Sequence, residues 1–218
     1  MNYKYILFDL DGTLTDPKEG ITKSVKYALN KYDIEVESLD NLIKFIGPPL
    51  KESFIEFYSF DEERAVNAIE YYREYFKDRG IFENGVYEGI PELLRELKNR
   101  GLIIAIATSK PTVFAERIVE HFGLKEYFNI IVGSNLDGTR TSKREVISYV
   151  LEQLNINNLE ETVMIGDRKH DVIGAQKNNI DSIGVLYGYG DLKEFQEVAP
   201  TYIVDSVNDL YKFIINVE

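Results

Sequence analysis

The chain has 218 residues, 44% of them hydrophobic and 12% aromatic, which suits a folded globular protein with one sizeable core, or one core and a smaller accessory domain. Its 25 basic and 37 acidic residues leave a formal charge of −12, a surface that repels a nucleic-acid backbone and argues against a broad interface with polymeric DNA or RNA. The absence of cysteine excludes disulfides and thiol catalysis; with no apolar run approaching about 18 residues and no basic-plus-apolar leader, neither a membrane span nor secretion is expected, and a cytoplasmic location is.

In chain order, Asn2-Tyr3-Lys4-Tyr5 leads directly into an apolar run ending at Phe8, which reads as a buried strand. Asp9-Leu10-Asp11-Gly12-Thr13 follows, so two carboxylates arrive at the strand's C-terminal end, on the same side by alternation. Crowding them there costs free energy unless a cation lies between them or one carries a proton. Both escapes are chemistry: a metal site, or a nucleophile beside a general acid.

From Pro17 to about Phe82 the pattern is helical. Ile21, Val25, Ala28, Leu29 and Tyr32 fall at helix spacing, as do Ala65, Ile69, Tyr72 and Phe76. Leu39 to Ile46 and Leu50 to Phe57 read as shorter helices separated by the breaker Gly47-Pro48-Pro49. Residues 16–85 are therefore expected to form an inserted all-helical domain, with 1–15 and 86–218 as the remainder. Two thin connections are what a hinged lid needs. An insert packed rigidly on the core is the alternative.

Beyond Pro91 strands and helices alternate. An apolar helix stripe (Ile90, Leu93, Leu94, Leu97) ends at Gly101, and the strand Leu102 to Ala107 is closed by Thr108 and Ser109. A helix from Pro111 to Phe122, a strand at residues 130–132 and a helix over 142–154 follow. Then come a strand at 162–165 ending in Gly166-Asp167, a helix over 171–178, a strand at 183–185, a short strand at 202–204 and a last helix from Asp205 onward. The fold class expected is α/β, a Rossmann-like parallel sheet with helices on both faces.

Ligands of such sheets bind at the carboxyl ends of the strands. There the sequence places Asp9, Asp11, Thr108, Ser109, Asp167 and Asp171, with Lys143 at the start of a neighbouring helix. A nucleophile, an acid, anion-binding donors, a cation and metal ligands together amount to a phosphoryl-transfer site. His170, without a second histidine at ligand spacing, reads as structural. Arg140 and Arg144 either steer phosphate or sit in solvent, and Lys110 reads as a solvated lysine.

The string DLDGTLTD resembles the first motif, DxDGTxxD, of the haloacid dehalogenase-like (HAD) phosphohydrolases, and the other three motifs follow in order. Thr108 after IIAIA matches the second, Lys143 in TRTSKREV the third, and GDRKHD with Asp167 and Asp171 the fourth. The resemblance implies that Asp9 is the nucleophile and Asp11 the general acid/base; the charges of Asp9 and of an anionic substrate favour the protonated form of Asp11. It implies that Thr108, Ser109 and Lys143 bind the phosphoryl group. Mg²⁺ would be held by Asp9, by the Asp11 carbonyl, by Asp167 and, through water, by Asp171.

A helical insert after the first motif resembles the C1 cap of subfamily I. Ile46-Gly47-Pro48-Pro49-Leu50-Lys51 and Tyr187-Gly188-Tyr189-Gly190 resemble the phosphoglycolate phosphatase and 5'-nucleotidase-like group. The expectation is a phosphomonoesterase acting on a small phosphorylated metabolite, phosphoglycolate or a nucleoside 5'-monophosphate, in a monomer or weak homo-oligomer. Lys51 is expected to act in selectivity. A phosphosugar mutase of the β-phosphoglucomutase type shares both aspartates and is the alternative; a metal-free dehalogenase lacks the second acid.

Overall fold

The N-terminal apolar run becomes the central strand of a six-stranded parallel sheet. In the computed structural model, which describes residues 3–215, β1 is Tyr5–Phe8, and Ile6, Leu7 and Phe8 are fully buried. A strand covered on both faces has no polar alternation, which is why the run reads as continuous hydrophobics. Short strands β2 (Thr15–Asp16) and β3 (Gly85–Val86) flank the helical insert. The sheet then takes β4 (Ile103–Pro111), β5 (Ile130–Ser134), β6 (Thr162–Gly166), β7 (Asp181–Val185) and β8 (Tyr202–Val204), in the spatial order β5-β4-β1-β6-β7-β8. Tyr5 of β1 pairs with Ile103 on one side and Thr162 on the other, both in parallel register.

The chain divides into two compact units, 1–16 with 86–218, and 17–85. The helical unit contains α1 (Lys18–Asn30), a 3₁₀ segment over Leu39–Phe45, α2 (Leu50–Tyr58), α3 (Glu62–Tyr75) and a π turn at Phe76–Gly80. The shorter helix expected over Leu39 to Ile46 is a 3₁₀ segment over Leu39–Phe45. Leu42 and Phe45, three apart, are its buried residues, matching the three-residue turn, and the two prolines that follow bar propagation. Phe54 stacks on Phe60 at 5.8 Å and meets Phe45 edge-on at 5.1 Å, forming the aromatic centre of this unit.

In the α/β unit the helices are α4 (Ile90–Asn99), α5 (Thr112–His121), α6 (Lys143–Gln153), α7 (Lys169–Gln176), α8 (Leu192–Val198) and α9 (Val207–Ile215). Leu7, Ala105, Ala107 and Met164 on one sheet face pack against Val146, Ile147 and Val150 of α6 and Ala175 of α7. Alternate residues such as Ile6 and Ile104 point the other way, toward the layer where α4 packs on β4 and α9. The approach from Met1 and Asn2, and any continuation of α9 past Ile215, lie outside the described residues. No described helix is long and apolar enough to cross a membrane.

Candidate active site

Because β1 lies between β4 and β6, its C-terminal end is the point where chain connections depart to opposite sides, the position at which parallel sheets bind their ligands. Immediately after β1 the Leu10 carbonyl accepts from the N–H groups of Thr13, Leu14 and Thr15, a single tight turn that carries Asp9 and Asp11 at its mouth. Gly12, at φ 82°, makes the turn possible, and a Cβ there would come within 2.0 Å of Asp167 Oδ2.

Lys143 is the hub. It is the first residue of α6, whose start is fixed by a capping box between Ser142 and Glu145. Its Nζ lies 2.8 Å from Asp9 Oδ1 and 2.7 Å from Asp171 Oδ1, and donates to the Ala107 carbonyl at 3.0 Å. Burial alone would release its proton, but Asp171 and Asp9 outweigh that and hold the ammonium charged. Asp9 Oδ1 also accepts from Leu10 N–H at 2.7 Å, so the plane of that carboxylate is fixed by two donors.

Asp9, Asp167 and Asp171, all buried, can offer ligand oxygens that lie within 4.8 Å of one another. Asp167 is the most enclosed. Its Oδ2 accepts from Tyr189 N–H at 2.8 Å, while its Oδ1 is buried with no hydrogen-bond partner. Burial, then the charges of Asp171 and Asp9, push its carboxyl well above the usual carboxylate range. Asp171 sits in the first turn of α7, where its Oδ2 accepts from Arg168 N–H at 3.1 Å. Its pKa is also raised, by burial first, with Lys143 opposing.

Asp11 stands outside that trio of side chains. Its pKa is raised, and the leading cause is burial; Lys110 works against it, and the charge of Asp9, the cause expected from sequence, is a lesser contribution. Thr108 is buried, and its Oγ1 accepts from Lys110 N–H at 3.2 Å, which leaves its hydroxyl proton to donate. Ser109 follows it in the same segment. The closure of the strand expected at Thr108 and Ser109 is corrected: β4 continues to Pro111 through a register shift.

Lys110 is the clearest correction. Expected in solvent, it is 9% exposed, and its Nζ lies 2.9 Å from Asp11 Oδ2. Pro111 is the sequence signal for this, since it keeps residue 110 extended instead of letting it begin a solvated helix. Tyr189 was likewise not foreseen as a partner of the acids. Its hydroxyl also bonds Asp16 Oδ1, and Tyr187 donates to the Thr13 carbonyl at 3.0 Å, so this segment is fastened to the turn after β1.

The remaining candidates have local duties. Arg140 donates to the Gly133 carbonyl and to Asn135, and lies over the Tyr149 ring. Arg144 is exposed, and half-buried His170 has its pKa lowered by burial. Lys51, in the helical unit, pairs with Glu62 at 3.1 Å.

The family described as haloacid dehalogenase-like hydrolase matches residues 6–185, and the chain belongs to it. It is 50% identical over 202 residues to a 5'-nucleotidase of Pseudomonas aeruginosa, covering 93% of this chain and 91% of that one. It is 39% identical over 198 residues to tyrosine-protein kinase PtkA of Mycobacterium tuberculosis, covering 91% and 67% respectively. Among solved structures it resembles a predicted phosphatase from Clostridium acetobutylicum, at 58% identity and a TM-score of 0.96 over the full length of both chains.

Proposed function

We propose that this hydrolase cleaves phosphate monoesters of small metabolites through an aspartyl-phosphate on Asp9, with Mg²⁺ as cofactor. One observation carries the reading: four buried carboxylates, Asp9, Asp11, Asp167 and Asp171, face two buried ammonium groups, Lys110 and Lys143. With Asp11 protonated as the acid, three carboxylates still face two ammonium groups, and the unpartnered Oδ1 of Asp167, beside Asp9 and Asp171, supports a bound cation as the source of the missing positive charge. Asp9, Asp167, the Asp11 carbonyl and, through water, Asp171 would hold the ion. When bound, Mg²⁺ withdraws charge from the phosphate oxygens and so permits one anion to approach another.

The chain's own residues supply the rest. The Thr108 hydroxyl and the N–H of Ser109 receive the phosphoryl oxygens, and the nearby positive charge of Lys143 offsets their negative charge. With Oδ1 of Asp9 held by two donors, Oδ2 attacks phosphorus. As the ester P–O bond breaks, its electron pair stays on the leaving oxygen, which takes the proton of Asp11. The Asp11 carboxylate then takes a proton from water, whose oxygen attacks the same phosphorus. The bond to Asp9 breaks, inorganic phosphate leaves and both aspartates are restored.

The relative named 5'-nucleotidase supports a nucleoside 5'-monophosphate as substrate, and the Gly47-Pro48-Pro49 segment keeps phosphoglycolate beside it. A panel of phosphorylated metabolites with and without Mg²⁺ tests the reading by phosphate release. Nucleoside 5'-monophosphates should rank first. Including β-glucose 1-phosphate, and ATP with a tyrosine peptide, exposes a mutase or a kinase: isomerisation or peptide phosphorylation in place of phosphate release would replace the proposal. Independently of turnover, Mg²⁺ should raise the melting temperature of the wild-type chain and leave that of Asp167→Asn unmoved.

A further inference from the structure

Lys110 has no part in the steps just described, yet the fold goes to some length to bury it. Between Ala107, opposite Val132, and Pro111, opposite Ser134, four residue steps on β4 span two on β5. This bulge throws residues 108–110 out of the ladder, and it is pinned in place. Lys110 N–H donates to Thr108 Oγ1, and Ser134 Oγ donates to the Ser109 carbonyl at 2.9 Å. Opposite, Gly133 allows a close passage, since a Cβ there would lie 2.0 Å from the Lys110 carbonyl.

Asp11 is held as firmly from its own side. It forms a bridge with Thr15, and Gly12 N–H donates to the Thr15 carbonyl at 2.7 Å. Two fixed backbones therefore bring an ammonium and a carboxylate to 2.9 Å, with side chains only 5% and 12% exposed. The pair engages one carboxylate oxygen, Oδ2. Oδ1 of Asp11 is buried and without a hydrogen-bond partner.

We infer that Lys110 is the positioning residue for Asp11, holding Oδ2 so that Oδ1 is the oxygen that meets the leaving group and the hydrolytic water. The inference rests on the phosphomonoesterase reading above and adds a residue to it. A carboxyl gripped at one oxygen cannot flip or swing away, so its orientation is set before substrate arrives. The two lysines thus have separate duties: Lys143 serves the nucleophile and Asp171, Lys110 the acid.

The test compares kcat/KM for an alkyl phosphate, a nucleoside 5'-monophosphate, with that for para-nitrophenyl phosphate, whose leaving group needs little help from an acid. This ratio reports the steps through ester cleavage and separates proton donation from binding. Lys110→Met should lose about 30-fold or more on the alkyl ester and less than about 3-fold on the aryl ester, the pattern expected for a displaced general acid. Asp11→Asn should show the same selectivity, and adding Lys110→Met to it should change the ratio no further.

Equal losses on both esters, no loss on either, or an added loss of selectivity in the Asp11→Asn background would each overturn the inference. Should the wild-type chain cleave neither ester, the phosphomonoesterase reading falls by itself, and melting then decides the role of the pair. Lys110→Met should lower the melting temperature by several degrees, with Asp11→Asn in the same chain restoring part of it. Additive shifts would overturn the inference.

Discussion

In the helical unit the ion pairs Lys18–Asp40, Lys51–Glu62 and Arg73–Glu70 lie on the surface, whereas in the α/β unit Lys143 with Asp9 and Asp171, and Lys110 with Asp11, are buried. The buried threonine and serines of the helical unit bond through their hydroxyls to carbonyls four residues earlier. Thr22 bonds to Lys18, Ser24 to Gly20 and Ser53 to Pro49. Such groups complete a core at little cost. Buried ion pairs are a poor source of stability, because desolvation consumes most of the attraction. The difference is that these pairs of the helical unit lie where solvent screens them, while those of the α/β unit are kept in an interior where stability alone does not call for them.

Three changes would break or sharpen that contrast. The largest effect is expected from Asp9→Asn. The amide oxygen can still accept from Leu10 N–H and Lys143, so the melting temperature should hold or rise, while phosphate release falls at least ~10³-fold, as for removal of a nucleophile. Full activity in this variant would displace Asp9 as nucleophile. Phe54→Ala should do the reverse, costing about 3–5 kcal/mol because a fully buried ring between Phe45 and Phe60 leaves a cavity. Chemical denaturation measures it, and a loss below ~1 kcal/mol would mean that the aromatic centre repacks.

The smallest effect on stability belongs to Lys51→Ala, within about 0.5 kcal/mol, since its pair with Glu62 is exposed. If Lys51 acts in selectivity, relative kcat/KM among nucleoside monophosphates, phosphoglycolate and sugar phosphates should shift more than turnover of a small aryl phosphate. Uniform loss across all of them would count against that role.

Much of this could be read from sequence because burial on both faces leaves an unmistakable signature. Each main strand of the sheet contains one of the apolar runs, and the acids follow those runs directly. Two features were hidden for identifiable reasons. Helix α8 buries Phe195 alone, so it carries no periodic stripe. Lys110 was hidden because a bulge has no periodicity, and a lone lysine beside a proline looks like surface. The segment over 39–45 was legible as helical but not as 3₁₀, since spacings of three fit either turn once the stretch is this short.

The enclosure of Asp167 has a consequence of its own. Gly12 and Gly188 approach it so closely that a Cβ on either would fall within 2.6 Å of its Oδ2. The reach of this carboxylate is therefore set by main-chain atoms on two sides rather than by its own rotamer. An asparagine keeps this outline without the charge, whereas a glutamate adds a methylene beside the same main-chain walls. The backbone around residue 167 thus sets how far an acidic side chain can extend from this position.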